Sequence, residues 1–341
     1  MYKVTVVIPT YNTGDFLKPL MDSIVHQTLG FKSIEILIVD DNSSDLNTLN
    51  LIQKYESKYD NCRAIFLGEN HDFPGYARNI GLAEAAGEAI IFADHDDSYE
   101  VDAFERLYSA LSLNNADLVF SNYYKVFGDK KVRLETVFNG ENITVSGFRE
   151  DLRLLELSPS IWTKLFRREF LLQNNIKFPE GMLAEDLYVY INSVLLSSKT
   201  IYLDDFYSYN YNIRDSPGDK STIHLRNIKI FESMIKGYFE TYNLLLDLGF
   251  KDYFTAIFKN HFIYFITSII DSDLDISDKI ELFKKVNVLM VNFLEVNGGF
   301  GEKLYDPLVE PILKEDYDVL AKKLKYLKFR RNLRVIKNKV L

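Results

Sequence analysis

Four runs of branched and aromatic apolar residues, each closing on polar ones, constrain this chain more than any other feature. They read KVTVVIPTYN (3–12), IEILIVDDNSSD (34–45), CRAIFLGEN (62–70) and EAIIFADHDD (88–97). Between them lie segments with helical apolar spacing: 14–29, 46–59 and 75–87, the last stopped by Gly87. Fully apolar strands separated by helices predict an α/β fold, Rossmann-like, with a mostly parallel central sheet covered by helices on both faces. Such sheets bind ligands at the C-terminal ends of their strands. Here those ends carry Pro9-Thr10-Tyr11, Asp40-Asp41, Glu69-Asn70 and the run Asp94-His95-Asp96-Asp97. Polar residues at every strand end imply one functional rim.

Further along, 116–127 predicts another strand, 129–150 a hairpin or connecting segment, and 160–215 mixed structure with a helix from Glu185 to Ser197. From Thr222 onward the spacing is helical. A Ser/Pro/Gly-rich stretch at 216–222 sets the expected boundary, giving an α/β domain over 1–218 and a helical domain over 219–341. The aromatic residues of that region, Phe231, Tyr238, Phe239, Tyr242, Phe254, Phe258, Phe262 and Tyr264, have helical spacing and read as core, with oligomerisation or acceptor binding as further roles.

A single cysteine, Cys62, excludes an intramolecular disulfide and a multi-cysteine metal site, and fits a reducing compartment. The N-terminal residues lack a signal-peptide pattern, and no apolar stretch nears the roughly 20 residues of a membrane span. The expectation is a cytoplasmic protein. Net charge is −9, but residues 319–341 hold nine Lys or Arg and no acid, leaving −18 on residues 1–318. That acidic body argues against nucleic acid as a partner. The basic tail, interleaved with Leu, Tyr, Phe, Val and Ile, suits three places: the inner face of the plasma membrane as a peripheral contact, a homo-oligomer interface, or solvent.

The chemistry narrows by exclusion. A dinucleotide fingerprint fails after the first strand, where residues 9–14 read PTYNTG. GGFGEK (298–303) lacks the spacing of a P-loop, and no Asp pair follows the first strand as a phosphoryl-aspartate phosphatase would require. What remains is Asp94-x-Asp96 after the fourth strand. Closely spaced carboxylates suit a divalent cation, Mn²⁺ or Mg²⁺, that also takes phosphate oxygens and water. Tyr11 is placed to stack on a base, Asp41 to accept the N3–H of uracil, and Arg78 to pair with phosphate or anchor an Asp.

VVIPTYN, the QT pair at 27–28, IEILIVDDNSSD, ARNIGL, FADHDD, WTKLFRREFL and FPEGMLAED, in this order from residue 3 to about 215, resemble the family-2 glycosyltransferases. These are inverting enzymes of the GT-A fold, and the likeness is strongest to bacterial enzymes acting on wall teichoic acid, capsule or other cell-surface polymers. The resemblance implies a UDP-sugar donor and an acceptor that is a glycan or teichoic-acid-like polymer, free or lipid-linked. It implies that Pro9, Tyr11 and Asp41 hold the nucleobase with Asp40 beside them, and that Arg78 lies near the diphosphate. Asp96 would be the direct metal ligand and Asp94 would meet ribose or metal. Glu185-Asp186 would supply the general base, with Asp186 in that role. Arg214–Ser221 would form a mobile loop over the diphosphate, although the inserted SPGD blurs the individual assignments of Arg214 and Ser221.

Plainer readings stand beside these. Asp94 and Asp96 could form a capped turn, Tyr11 could be core, and Glu185-Asp186 could be helix N-terminal charges favoured by the dipole. Trp162 reads as a core anchor before an acceptor platform. Lys164, Arg167 and Arg168 read as a solvated or structural face. His71, His224 and His261 have no ligand spacing, and Cys62 reads as inert. Two other functions compete: an idle nucleotide- or glycan-binding scaffold, and a nucleotidyltransferase, which would want a Gly/Lys/Arg-rich loop after the first strand.

Overall fold

β1 (Val4–Thr10) is buried along its whole length. Side chains of a strand alternate between faces, so a fully buried strand needs cover on both. The computed structural model describes the backbone of residues 1–216, 219–220 and 226–340, and the side chains of 1–214 and 226–331. Chain order continues with α1 (Leu17–Val25), β2 (Ile34–Asp40), α2 (Leu46–Lys58), β3 (Cys62–Phe66), α3 (Gly75–Glu84), β4 (Ala89–Phe92), β5 (Ser98–Tyr99) and α4 (Ala103–Leu113). It then runs through β6 (Leu118–Phe127), β7 (Lys130–Arg133), β8 (Ile143–Val145), β9 (Lys164–Arg167), α5 (Arg168–Gln173), α6 (Glu185–Leu196) and β10 (Thr200–Asn212).

These strands form one ten-stranded sheet in the order β3-β2-β1-β4-β9-β6-β10-β5, with β7 on β6 and β8 on β10. The stretch β3-β2-β1-β4 is parallel, as the alternation of apolar runs and helices predicts. β9 then lies antiparallel between β4 and β6, and β10 returns parallel to β6. The sheet as a whole is therefore mixed, because β9 arrives from a long connection and inserts between strands already placed. β3 closes the edge, so its residues are only partly buried despite their apolar run.

The two faces of β1 are covered differently. Val4, Val6 and Ile8 share a core with Leu20, Met21 and Ile24 of α1, Ile52 of α2 and Phe104 and Leu107 of α4. Val7 points to the other face, where a Cβ added to Gly81 would lie 2.2 Å from a Val7 methyl. Only glycine lets α3 approach β1 so closely. α4 is not anticipated by the sequence reading, although its buried Ala103, Phe104, Leu107 and Leu111 have helical spacing. The 13-residue β10 is likewise hidden in a segment that reads as mixed.

Met1–Arg214 and Asp215–Leu341 form two compact units. Residues 217–218 and 221–225, around the expected boundary, lie outside the described residues. The second unit pairs β11 (Asp215–Ser216) with β12 (Asp219–Lys220) and continues as α7 (Ile228–Asp247), α8 (Phe254–Asp271), α9 (Ile276–Asn297), α10 (Asp306–Leu313) and α11 (Tyr317–Val340). Its core is aromatic: Phe231, Tyr238, Phe254, Phe258 and Phe262 are buried. Tyr238 packs edge-on against Phe258, Phe262 and Phe265, the arrangement their ring quadrupoles favour. Among the described residues no helix is long and apolar enough to cross a membrane.

Candidate active site

β1 ends at Thr10, and Asn12 turns the chain with a φ of 50°, a left-handed conformation that asparagine tolerates. Its side-chain oxygen accepts from the backbone N–H of Ser44 and Asp45, each at 2.9 Å, which ties the end of β1 to the loop after β2. Asp40 is buried at the end of β2, where that loop begins. Its carboxylate accepts from Ser43 Oγ at 2.6 Å, Ser43 N–H at 2.9 Å and Thr10 Oγ1 at 3.2 Å. Asp40 thus shapes the loop that carries Asp41. The Asp41 carboxylate meets His71 Nδ1 at 2.8 Å and accepts from His71 N–H at 2.9 Å and Asn70 Nδ2 at 3.1 Å. The His71 ring stacks on Tyr76 with centroids 3.7 Å apart. Pro9 is buried within β1, whereas Tyr11 is 51% exposed, an aromatic ring left in water beside Asp41's loop.

α3 delivers Arg78. The helix is clamped to the 178–180 segment: Asn79 Nδ2 donates to the Phe178 carbonyl, and Phe178 N–H donates back to Asn79 Oδ1 at 2.8 Å. A Cβ on Gly75 would stand 2.5 Å from the Pro179 carbonyl oxygen, so glycine is required for that contact too. The clamp leads directly into α6, whose first residues are Glu185 and Asp186. Ala184, just before them, sits at φ 62°, a left-handed position that costs an alanine energy and aims the acid pair. Arg78 Nη1 donates to Glu185 Oε1 at 2.5 Å, and Nη2 donates to Asp94 Oδ1 at 2.8 Å. One buried guanidinium therefore joins the acid after β4 to the acid pair of α6. Burial works against its charge, but Asp94, Glu185 and Asp186 outweigh that and hold it above its ordinary value.

Burial raises the Glu185 carboxyl; Arg78 pulls it back and Asp186 pushes it further up. Asp186 is also raised, by burial first, although Arg78 opposes the shift and Leu187 N–H donates to its Oδ1 at 2.8 Å. A raised carboxylate is a better proton acceptor than an ordinary one. The helix-dipole reading of this pair and a chemical one are compatible, since both acids occupy the first turn of α6.

Asp96 pairs with Arg214, Nη2 to Oδ2 at 2.6 Å, and the Arg214 guanidinium lies 4.8 Å over the Phe16 ring. Asp97 turns inward and accepts Asn212 N–H at 2.7 Å. Burial, with Asp96 and Asp94 nearby, pushes its carboxyl well above the usual range. Among the described residues no group of three or more His, Cys, Asp or Glu gathers as a self-sufficient metal cage. Asp94 and Asp96 are hard oxygen donors on a partly open rim. That donor set fits a cation which completes its shell with substrate phosphates and water.

The family model described as Glycosyl transferase family 2 matches residues 5–172. The chain carries a family 2 glycosyltransferase domain. Its cholesterol galactosyltransferase relative from Borreliella burgdorferi is 29% identical, across 88% of this chain and 85% of that protein. The poly(ribitol-phosphate) beta-glucosyltransferase of Bacillus spizizenii is 31% identical over 62% of this chain, which spans only 32% of that longer protein. The solved structure of S. aureus TarS residues 1–349 with UDP-GlcNAc superposes with a TM-score of 0.74 at 22% identity, covering 97% of this chain and 92% of the other. That likeness establishes the GT-A-like fold with its helical C-terminal region. The protein is thus a glycosyltransferase whose relatives include a cholesterol galactosyltransferase and a poly(ribitol-phosphate) beta-glucosyltransferase.

The contacts above join Arg78 to Asp94 and Glu185, Asp96 to Arg214, and Asp41 to His71 and Asn70. Ser221 and His224 lie outside the described residues. Glu185 and Asp186 fall beyond the matched stretch and join it through Arg78. Asn12, Ser43, His71 and Asn212 support the rim without having been singled out for it, whereas Asn70 and Asp97 were already among its polar strand ends. Trp162 is a core anchor, stacked on Tyr209 at 4.3 Å and edge-on to Tyr123 at 4.6 Å. Lys164 belongs to no solvated face. It is fully buried, donates to the Ser158 and Ser160 carbonyls at 2.9 and 2.8 Å, and burial lowers its ammonium to about 7. Cys62 opens β3 as a buried thiol pushed up to about 12 by burial.

Proposed function

We propose that this glycosyltransferase is an inverting enzyme that moves a hexose or N-acetylhexosamine from a UDP-sugar to a hydroxyl of a cell-surface glycan or polyol-phosphate polymer, free or lipid-linked, on the cytoplasmic side of the membrane. The observation that carries this reading is the Arg78 bridge, which fastens Asp94 of the donor rim to Glu185 beside the candidate base. Tyr11 stacks on the uracil and Asp41, held in place by His71 and Asn70, accepts its N3–H. Asp94 and Asp96 would hold a Mn²⁺ or Mg²⁺, which would supply positive charge against the diphosphate leaving group. Arg214, which pairs with Asp96, exchanges that carboxylate for the diphosphate when the donor binds.

Asp186 takes the proton of the acceptor hydroxyl as that oxygen bonds to the anomeric carbon. The bond from that carbon to the diphosphate oxygen breaks on the opposite face, and its electron pair leaves with UDP. Arg78 opposes the rise that burial imposes on the Glu185 carboxyl, while Asp186, itself raised by burial, is basic enough to accept the proton. The helical unit, by this proposal, serves the acceptor or the assembly.

The length match to a cholesterol galactosyltransferase, 85% of that protein against 32% for the polymer enzyme, favours a second reading in which the acceptor is a membrane lipid hydroxyl. Incubation with UDP-glucose, UDP-galactose, UDP-GlcNAc and UDP-GalNAc plus Mn²⁺, followed for UDP and pyrophosphate, tests both. Poly(ribitol phosphate) and cholesterol-bearing vesicles serve as the alternative acceptors. UDP release that disappears in Asp96→Ala supports the transferase mechanism, and the productive acceptor chooses the reading. Pyrophosphate release, or no affinity for any uridine nucleotide in the presence of manganese, overturns it.

A further inference from the structure

α11 packs on its own unit through Leu320, Leu324 and Leu327, all buried. At about 100° per residue, the side of the helix opposite this spine carries Lys322, Lys325, Tyr326 and Phe329, with Lys323 and Arg330 on its flank. Tyr326 is 54% exposed and Phe329 60% exposed, so two large rings stand in water next to each other on the outer face. Lysines 322, 323 and 325 and Arg330 are exposed around them, and the Arg330 guanidinium lies 5.8 Å from the Tyr326 ring centroid. Lys328 and Arg331, by contrast, turn inward. Lys328 donates to the Ser272 carbonyl at 2.7 Å, and Arg331 pairs with Asp271 at 2.6 Å. The basic residues therefore divide between structural cations that close the end of α8 and outward ones with no carboxylate in their helical stretch, since 319–341 holds no acid.

We propose that the outer face of α11 docks on an anionic lipid bilayer, with the Tyr326 and Phe329 rings at headgroup depth and the four outward cations on lipid phosphates. Aromatic rings flanked by Lys and Arg stems are the composition that suits this boundary, where rings meet the acyl edge and cations reach back to the headgroups. Charge complementarity selects the occupant. Residues 1–318 carry −18, so an anionic surface repels the rest of the chain and attracts this face. A second copy docked by two-fold symmetry would set the same cations against each other.

The experiment uses the full chain and needs no sugar donor, so its failure leaves the transferase reading standing. Flotation is measured with vesicles of phosphatidylcholine alone and of phosphatidylcholine with an equal part of phosphatidylglycerol, alongside the mass in solution by light scattering. Binding only to the phosphatidylglycerol vesicles, weakened as salt rises to about 0.5 M, is the expected result. Each cation near such a surface contributes about fivefold, so Lys322→Gln/Lys323→Gln/Lys325→Gln/Arg330→Gln should weaken partitioning by up to about 600-fold. Tyr326→Ala/Phe329→Ala should weaken it severalfold, and both variants should keep the parent circular-dichroism melt because the altered side chains are exposed. Equal binding to both vesicle types, binding unchanged in the fourfold variant, or a dimer dispersed by Tyr326→Ala/Phe329→Ala would each overturn the proposal.

Discussion

The rim of the catalytic unit and the outer face of α11 both concentrate charge, and they handle it in opposite ways. Arg78 is buried between two carboxylates at 2.5 and 2.8 Å, with Glu185 as deeply buried as itself. Arg330 and its neighbours on α11 stand in solvent while leucines on the far side of the helix hold it in place. In the first region charge is inseparable from the fold, since removing one partner leaves another stranded in low dielectric. In the second, charge is a surface property resting on an apolar spine. The same residue types should therefore respond very differently to substitution.

The largest effect belongs to the chemistry. Asp186→Asn should lower kcat by about 10²–10⁴-fold while UDP affinity, read by calorimetry, stays within a factor of a few. In the parent enzyme only the ionised Asp186 accepts a proton, and burial raises its carboxyl. Activity should thus fall as pH drops through an apparent pKa above the usual value of about 4. A profile flat to pH 4 would place the base elsewhere.

Arg78→Met should cost about 3–5 kcal/mol in urea unfolding, because Glu185 stays buried without its cation. A loss under about 1 kcal/mol would mean that the acids neutralise easily and that the contrast with α11 is false. Leu324→Ala tests the other side of that contrast. It should destabilise the helical unit by about 2–5 kcal/mol, since the apolar spine, and no charge, holds α11.

Lys164→Met should cost about 1–3 kcal/mol, for the Ser158 and Ser160 carbonyls lose their donor. It should also change the pH dependence. With the folded ammonium lowered to about 7 and the unfolded one at its ordinary value of 10.5, the unfolded chain binds the extra proton between those values. Parent stability should therefore gain up to about 1.4 kcal/mol per pH unit across that window, and the variant should lack the gain. The smallest change is Lys322→Gln, expected within about 0.5 kcal/mol of the parent melt.

Much of the fold was legible because parallel strands buried on both faces must be predominantly apolar, as β1, β2 and β4 are. The rim was legible for the same reason, since polar residues at the ends of such strands stand out. β3 departed from its apolar run because an edge strand is covered on fewer sides. α4 and β10 were missed: α4 follows directly on the acid cluster, and β10 alternates polar and aromatic residues while bulging against β6. Lys164 looked like surface because lysine usually is, and only the carbonyls around it explain its burial.

Sequence alone determined the alternating α/β plan, the acids and Tyr11 at the strand ends, the aromatic packing of the helical unit and the excess of cations at the C-terminal end. These follow from side-chain periodicity and composition, which are local properties. Tertiary structure decided that Arg78 would join Asp94 to Glu185, 107 residues away from it along the chain, and that Asp40 would brace a loop while Asp41 met His71. It also decided which cations of α11 would turn inward. Each of those outcomes depends on how closely two backbones approach, as at Gly75 and Gly81, and no one-dimensional pattern encodes that distance.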